Sequence, residues 1–304
     1  MVRITLIALA IASPVLAEDF VKEFDSVYGH LIVSRRGSIV EMYANYRGWQ
    51  ARESGIDLDD PSRIVVPYVK FLFAGSMVAP DPKNALLIGL GGGGFNRLFN
   101  ETYPNATLTS VEIDPKVVQL AKQYMGFEES DINKVVTRDG RSFLRRSKEV
   151  YDWILLDAFH GSVVPPHLKT LEFYKEAAAK LSPDGVLISN VHTGSELIYY
   201  DLATYRAAFS DVVALDVPAT GNIIILAANL PQGTLEQRLR AFDPNNAPGE
   251  TWKREIDPAT IVKAIIPLTE AQFQRGRVMT DDFAPAEYYK IVPAPGPAAP
   301  VSGG

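Results

Sequence analysis

An apolar run enters four consecutive glycines in "ALLIGLGGGGFNR", and helical patterning resumes directly afterwards. Glycines at a strand–helix turn allow positive φ and close approach of a ligand to the backbone. The following helix adds unpaired N–H groups. Gly89, Gly91, Gly92 and Gly93 are therefore candidates for a binding loop, the bland alternative being a tight turn without a ligand. About 20 residues further on, "LTSVEIDP" ends a strand with Glu112, where an acid accepts hydrogen bonds from ribose hydroxyls. Asp114 reads instead as the N-cap of a helix begun by Pro115. Asp139 closes a third strand in "VTRDGRSFL", with Gly140 turning the chain. Its carboxylate either accepts from an exocyclic adenine amine or caps the next helix. One such feature at each of three successive strand ends points to an adenosine-containing ligand, without separating a nicotinamide cofactor from a sulfonium one.

A fourth strand ends at Asp157 in "YDWILLDAFHGSVVPPHL", followed by Phe159 and His160. Substrate-handling groups belong at that edge of an open α/β sheet. A carboxylate ending an apolar strand needs water or a ligand to satisfy it, and a loop histidine titrates near neutrality. A solvated His160 is the plainer reading. Near the C-terminus, "VMTDDFAPAEYY" sets Asp281 and Asp282 beside Phe283, Tyr288 and Tyr289. Acids and aromatics together suit a cationic substrate, although either acid could instead cap a turn or a helix.

These groups need a frame. From 84 to about 230, short apolar strands ("ALLIGL", "ATLTSVEI", "KVVTRD", "DWILLDA", "GVLISNV", "NIIILAAN") alternate with stretches of helical spacing such as "PKVVQLAKQYMGF" and "TLEFYKEAAAKL". The second of these ends at "SPDG", a helix stop. That alternation implies an α/β fold with a mostly parallel, doubly wound sheet covered on both faces. Ahead of it, "YGHLIVSRRGSIVEMYAN" alternates around an Arg-Arg-Gly turn and predicts a β-rich domain over 19–60. "SRIVVPYVKFLFAGSMV" predicts one buried helix, interrupted near its start by Pro67. The main domain is expected over 61–290 and a disordered Pro/Gly-rich tail over 291–304.

Residues 1–17 read as a signal peptide, with Arg3, an apolar stretch and a small-residue cleavage site before Glu18. The expectation is a periplasmic or secreted protein; an uncleaved anchor or a mis-set start would make it membrane-anchored or cytoplasmic. No other stretch is long and apolar enough to span a membrane. The net charge of −6 argues against a nucleic-acid partner. With no cysteine and four histidines (30, 160, 167 and 192) lacking ligand spacing, no metal is expected.

The chain resembles the polyamine aminopropyltransferases, or spermidine synthases, in particular their divergent bacterial branch. The resemblance runs from Tyr28 to Tyr289 through "YGHLIV", Gln50, "LIGLGGGGFNR", "VEIDP", "DGRSFL", "LLDAFHG", "PPHL", "EFY" and "TDDFAPAEYY". It implies a class I methyltransferase-like Rossmann domain beneath a small N-terminal β domain, and no metal. The co-substrate it implies is S-adenosylmethionine, usually in the decarboxylated form. By motif position Glu112 would hold the ribose, Asp139 the adenine amine and Gln50 the nucleoside, while Asp157 would hold or deprotonate the attacking amine. The departures are as informative. The family's loop usually carries an aspartate where this chain has Gly92, and a second aspartate where it has His160. The family's tyrosine and acid before the first Rossmann strand have no clear counterpart in "VVPYVKFLF".

The reaction expected is aminopropyl transfer to a small-molecule amine or other nucleophilic acceptor, with His160 as an alternative base. Methyl transfer from S-adenosylmethionine is the other enzymatic reading, since Gly92 and His160 remove cation-binding charge. A third reading is a non-catalytic nucleoside- or polyamine-binding protein, motivated by the leader. Family members commonly form dimers or tetramers, which leaves a homo-oligomer open.

Overall fold

The computed structural model describes residues 19–46, 49–159, 164–192 and 196–285. The expected leader over 1–17, His160, Tyr288 and the expected tail over 291–304 all lie outside them.

Four strands open the described residues: β1 (Phe20–Ser26), β2 (Gly29–Arg36), β3 (Ile39–Tyr46) and β4 (Trp49–Asp57). They pair as an antiparallel meander in sequence order. Gly37, at φ 58°, makes the turn that "RRG" announces. Alternation sends Leu31, Val33, Val40, Met42 and Ile56 into one buried cluster. One irregularity breaks the β3–β4 ladder. Met42 pairs with Ser54 but Tyr43 pairs with Arg52, so Glu53 is the extra residue of a β-bulge.

Pro67 does not interrupt a helix. It is the first residue of α1 (Pro67–Leu72), where its fixed φ is pre-organised and its missing N–H would have had no partner. A second short helix, α2 (Gly75–Val78), follows at once.

The main domain then runs β5 (Asn84–Ile88), α3 (Gly94–Thr102), β6 (Thr107–Glu112), α4 (Pro115–Tyr124), β7 (Asn133–Thr137), α5 (Gly140–Arg146) and β8 (Tyr151–Leu156). It continues with α6 (Leu171–Ala178), β9 (Leu181–His192), α7 (Leu197–Ala208), β10 (Asp211–Asp216), β11 (Asn222–Ala228), α8 (Thr234–Ala241) and the short β12 (Ile265–Ile266). Among the described residues the sheet has the order β12-β10-β11-β9-β8-β5-β6-β7. Strands β5 to β9 pair in parallel, and β11, β10 and β12 extend that core with antiparallel pairings.

Each central strand feeds two cores. Ala85, Leu87, Trp153 and Leu155 face Leu72, Met77, Leu98 and Leu235. Leu86, Ile88, Ile154 and Leu156 face Leu144, Phe173 and Leu202. Near-continuous apolar strands between two helical layers follow from burial on both faces. Strand β10 ("DVVALD") was not anticipated, because its four apolar residues are bracketed by acids. "SPDG" lies inside β9 rather than at a helix end: α6 has already stopped at Ala178, and the pairing with β8 jumps from Leu181 to Val186. Among the described residues no helix is long and apolar enough to cross a membrane.

Candidate active site

Strand β5 lies between β6 on one side and β8 on the other, so the chain order reverses there and opens a crevice at the strands' C-terminal ends. A cavity of about 350 Å³ occupies it, lined from β5, β6, the Asp157–Phe159 segment that follows β8 and the start of α5, together with Leu31, Met42 and Glu53 of the small sheet. That volume falls within the roughly 300–1,000 Å³ typical of small-molecule sites.

Gly89 holds φ 111°, and a Cβ there would stand 2.2 Å from the backbone oxygen of Asp157. Only glycine lets β5 leave the sheet this close to β8. Gly89 and Gly91 line the cavity; Gly92 and Gly93 do not. The Cβ position of Gly92 is filled by Met125, 2.4 Å away, and by the Ser54 hydroxyl, while that of Gly93 is filled by Phe127. The sequence expectation that all four glycines face the ligand is thus corrected for two of them. They are small because side chains from beneath pack against them.

Glu112 ends β6 and accepts from the Leu90 N–H at 3.1 Å and the Asp114 N–H at 2.9 Å. Burial pushes its pKa up to about 7 despite those bonds. Asp114 caps α4, accepting from the Lys116 N–H at 2.8 Å. Asp139 both lines the cavity and caps α5, with Oδ1 accepting from the Ser142 N–H at 2.8 Å and Oδ2 lying 2.8 Å from His167 Nε2. Burial works to raise its pKa, but the Ser142 N–H and His167 together hold it below the usual carboxylate range. Gly140 is fixed by packing, since a Cβ would sit 2.3 Å from Ile88 Cγ2.

Asp157 is held from both sides. Tyr68 of α1 donates to Oδ2 at 3.0 Å, and Asn190 of β9 donates to Oδ1 at 3.0 Å. Asn190 is aimed in turn by Asn222, which donates to its side-chain oxygen at 2.9 Å. Burial raises the pKa of Asp157 against the opposing pull of Asn190 and Tyr68. Burial, followed by the neighbouring Asp157 charge, lifts the Tyr68 phenol well above its ordinary value, keeping it a donor. Phe159 lines the same space.

Three further expectations are corrected. Gln50 pairs with Asn45 near the start of β4 and is not among the described cavity-lining residues, whereas Glu53, three residues on, is. Asp281 lies outside the cavity in an ion pair with Arg141, its two oxygens 2.6 and 2.8 Å from the guanidinium, and also accepts from Thr170 at 2.8 Å. Asp282 is exposed beside it, in a turn closed by mutual Thr280–Phe283 backbone bonds. Asp281 belongs to a strap between the C-terminal segment and α5, and neither acid is among the described cavity-lining residues. The third correction concerns "VVPYVKFLF": Tyr68 is present in the site after all. Sequence reasoning also missed Glu53, Asn190 and His167. Asn190 had a signal, a polar residue near the end of an apolar strand, as Asp157 has.

Glu53 is the most unusual group. Its Oε1 is buried and has no hydrogen-bond partner among the described residues. Burial, then the charges of Asp157 and Glu112, push its pKa well up. Among the described lining residues the one lysine or arginine is Arg63, whose guanidinium pairs with Asp57 at 3.0 Å. Among the described residues no group of three or more histidines and acids is arranged to hold a metal.

Fold and cleft define the class: a methyltransferase-like α/β domain carrying an N-terminal antiparallel sheet, with acids at the ends of its parallel strands. Residues 72–220 match the model of the spermine/spermidine synthase domain. The polyamine aminopropyltransferase of Vibrio vulnificus is 36% identical over 243 residues, covering 77% of this chain and 79% of that one. A probable spermidine synthase from Corynebacterium glutamicum has a similar solved structure, with TM-score 0.67 at 18% identity over 88% of this chain and 98% of that one. Human methyltransferase-like protein 13, solved with SAH, shares the fold at TM-score 0.51 and 21% identity, over 73% and 99% of the two chains. The chain belongs to the polyamine aminopropyltransferase family, a family of enzymes.

Proposed function

We propose that the protein transfers an aminopropyl group from decarboxylated S-adenosylmethionine to a small aliphatic amine. The observation that carries this reading is Asp157, fixed by Tyr68 and Asn190 in the same cavity as Glu112 and Asp139. In this reading Glu112 accepts from the ribose hydroxyls and Asp139 from the adenine amine, while Gly89 and Gly91 let the nucleoside lie against the loop. Phe159 supplies an apolar wall for the acceptor's methylenes.

Transfer from a sulfonium is an in-line displacement. The amine nitrogen forms a bond to the carbon beside sulfur, the carbon–sulfur bond breaks with its electron pair passing to sulfur, and methylthioadenosine leaves. The protein's tasks are to position the amine and to take its proton. A free amine has a pKa of roughly 10.4 and arrives as an ammonium. Each Asp157 oxygen spends one lone pair on Tyr68 or Asn190 and keeps another for that ammonium. A carboxylate whose pKa burial has raised is also the better proton acceptor.

Incubation with decarboxylated S-adenosylmethionine and a panel of aliphatic diamines should release methylthioadenosine. Asp157→Asn keeps the shape but not the base, and should lower kcat by roughly 10²–10⁴-fold with little change in donor KM. Release of adenosylhomocysteine from S-adenosylmethionine instead would turn the reading to methyl transfer. Nucleoside binding without either product would favour a binding protein on this scaffold.

A further inference from the structure

The glycine loop has no carboxylate and no room for one at Gly92. A side chain there would run into Met125, which is wholly buried, and into Ser54 Oγ at 2.8 Å. Ser54 is no bystander, because its hydroxyl accepts the Gly92 N–H at 2.8 Å and so fastens β4 onto the loop. The residue beside that fastening is Glu53, which the bulge turns out of the strand ladder and into the cavity. Bulges next to active sites commonly re-aim a side chain in this way.

Three facts then meet at one atom. Glu53 Oε1 is shielded from water and unpartnered among the described residues. Glu53 lines the same cavity as Asp157 and Glu112, the proposed amine and ribose sites, and after burial their charges push its pKa up. The single arginine among the described lining residues is engaged elsewhere. A buried carboxylate without a donor is costly, and is kept where a ligand supplies the missing charge. A nucleoside held at Glu112 with its transferable group toward Asp157 would carry its sulfonium and side chain through the cavity that Glu53 also lines.

We propose that Glu53 binds the terminal ammonium of the aminopropyl donor, in place of a loop carboxylate, and thereby selects a donor that lacks an α-carboxylate. The inference rests on the aminopropyl-transfer reading for the identity of the donor. Its charge logic is direct. The decarboxylated donor brings two positive charges and no negative one, matching an acid-lined cleft. Intact S-adenosylmethionine adds a carboxylate on the carbon that bears the amine. Seated at Glu53, that group would meet like charge, with no lysine or uncommitted arginine among the described lining residues to compensate.

The test is calorimetric and kinetic, on Glu53→Gln against wild type. Affinity for decarboxylated S-adenosylmethionine should fall at least about tenfold, the scale of a lost charge-assisted hydrogen bond. Affinity for methylthioadenosine, the same nucleoside without the aminopropyl arm and without either positive charge, should stay within about twofold, and acceptor KM should not move. Preference for the decarboxylated donor over S-adenosylmethionine should shrink by a similar factor. Equal losses for donor and methylthioadenosine would overturn the proposal, as would a rise in acceptor KM with donor affinity unchanged. A wild type that releases no methylthioadenosine yet shows the affinity pattern would sink aminopropyl transfer and leave Glu53's role standing. An active wild type with an indifferent Glu53→Gln would do the reverse. Should the variant not fold, wild type alone decides: the decarboxylated donor must bind more tightly than both methylthioadenosine and S-adenosylmethionine, and equal affinities reject the inference.

Discussion

Glu112 illustrates how much a single side chain in this cleft depends on what surrounds it. Its carboxyl already accepts two backbone N–H bonds, yet burial outweighs them and holds its pKa at about 7 against an ordinary 4.5. The folded protein therefore binds more protons at this group than the unfolded chain between those values. The stability this contributes is complete below about pH 4.5 and is lost as pH rises through about 7. Each pH unit between the two values is worth about 1.4 kcal/mol. Glu112→Gln stays neutral throughout, so its melting temperature should fall less than that of wild type between pH 5 and pH 8. Parallel pH curves for the two proteins would contradict the assignment. Glu53 and Asp157 are shifted in the same direction, so the variant should flatten the dependence without abolishing it.

Elements decide which of these residues a reader of the sequence could find. Glu112, Asp139 and Asp157 stood out because each follows an apolar strand and precedes a helix or loop, and parallel strands bring such ends to one edge. The glycine run stood out for the same reason. Within it, only the packing tells Gly91, which faces the cavity, from Gly92, which faces Met125. Glu53 left no trace, since a bulge breaks the two-residue period by which strand faces are read. Tyr68 hid inside an apolar stretch whose proline suggested an interruption when it marked a beginning. Gly89 offers the element-level test. Alanine there would hold a positive φ and drive a methyl to 2.2 Å from the β8 backbone. Gly89→Ala should lose more than about 3 kcal/mol by chemical denaturation or fail to fold, since two strands would have to part. A change under about 1 kcal/mol would mean that β5 and β8 can separate at little cost.

At the scale of the molecule, the C-terminal segment returns to the main domain through Arg141, whose guanidinium joins Glu176 of α6 to Asp281. With Thr170 on the same carboxylate, this is a cross-brace between distant parts of the chain, although the Asp281 side chain stays 46% exposed within it. Asp281→Asn should therefore cost about 1 kcal/mol in stability and leave acceptor KM where it was. A raised acceptor KM in a fully stable variant would return Asp281 to the substrate. The small sheet is joined more intimately: Leu31, Val33 and Met42 pack with Leu120 and Met125, and Ser54 clasps the glycine loop. On the proposed reading, that clasp divides the labour of recognition between two bodies. The large domain would read what every adenosine carries, its base and sugar, while the strand fastened to its glycine loop would inspect the tail. Lineages that keep the large domain and exchange the overlying strand would inherit a common grip with a different appetite, so that a new donor preference needs no new nucleoside pocket.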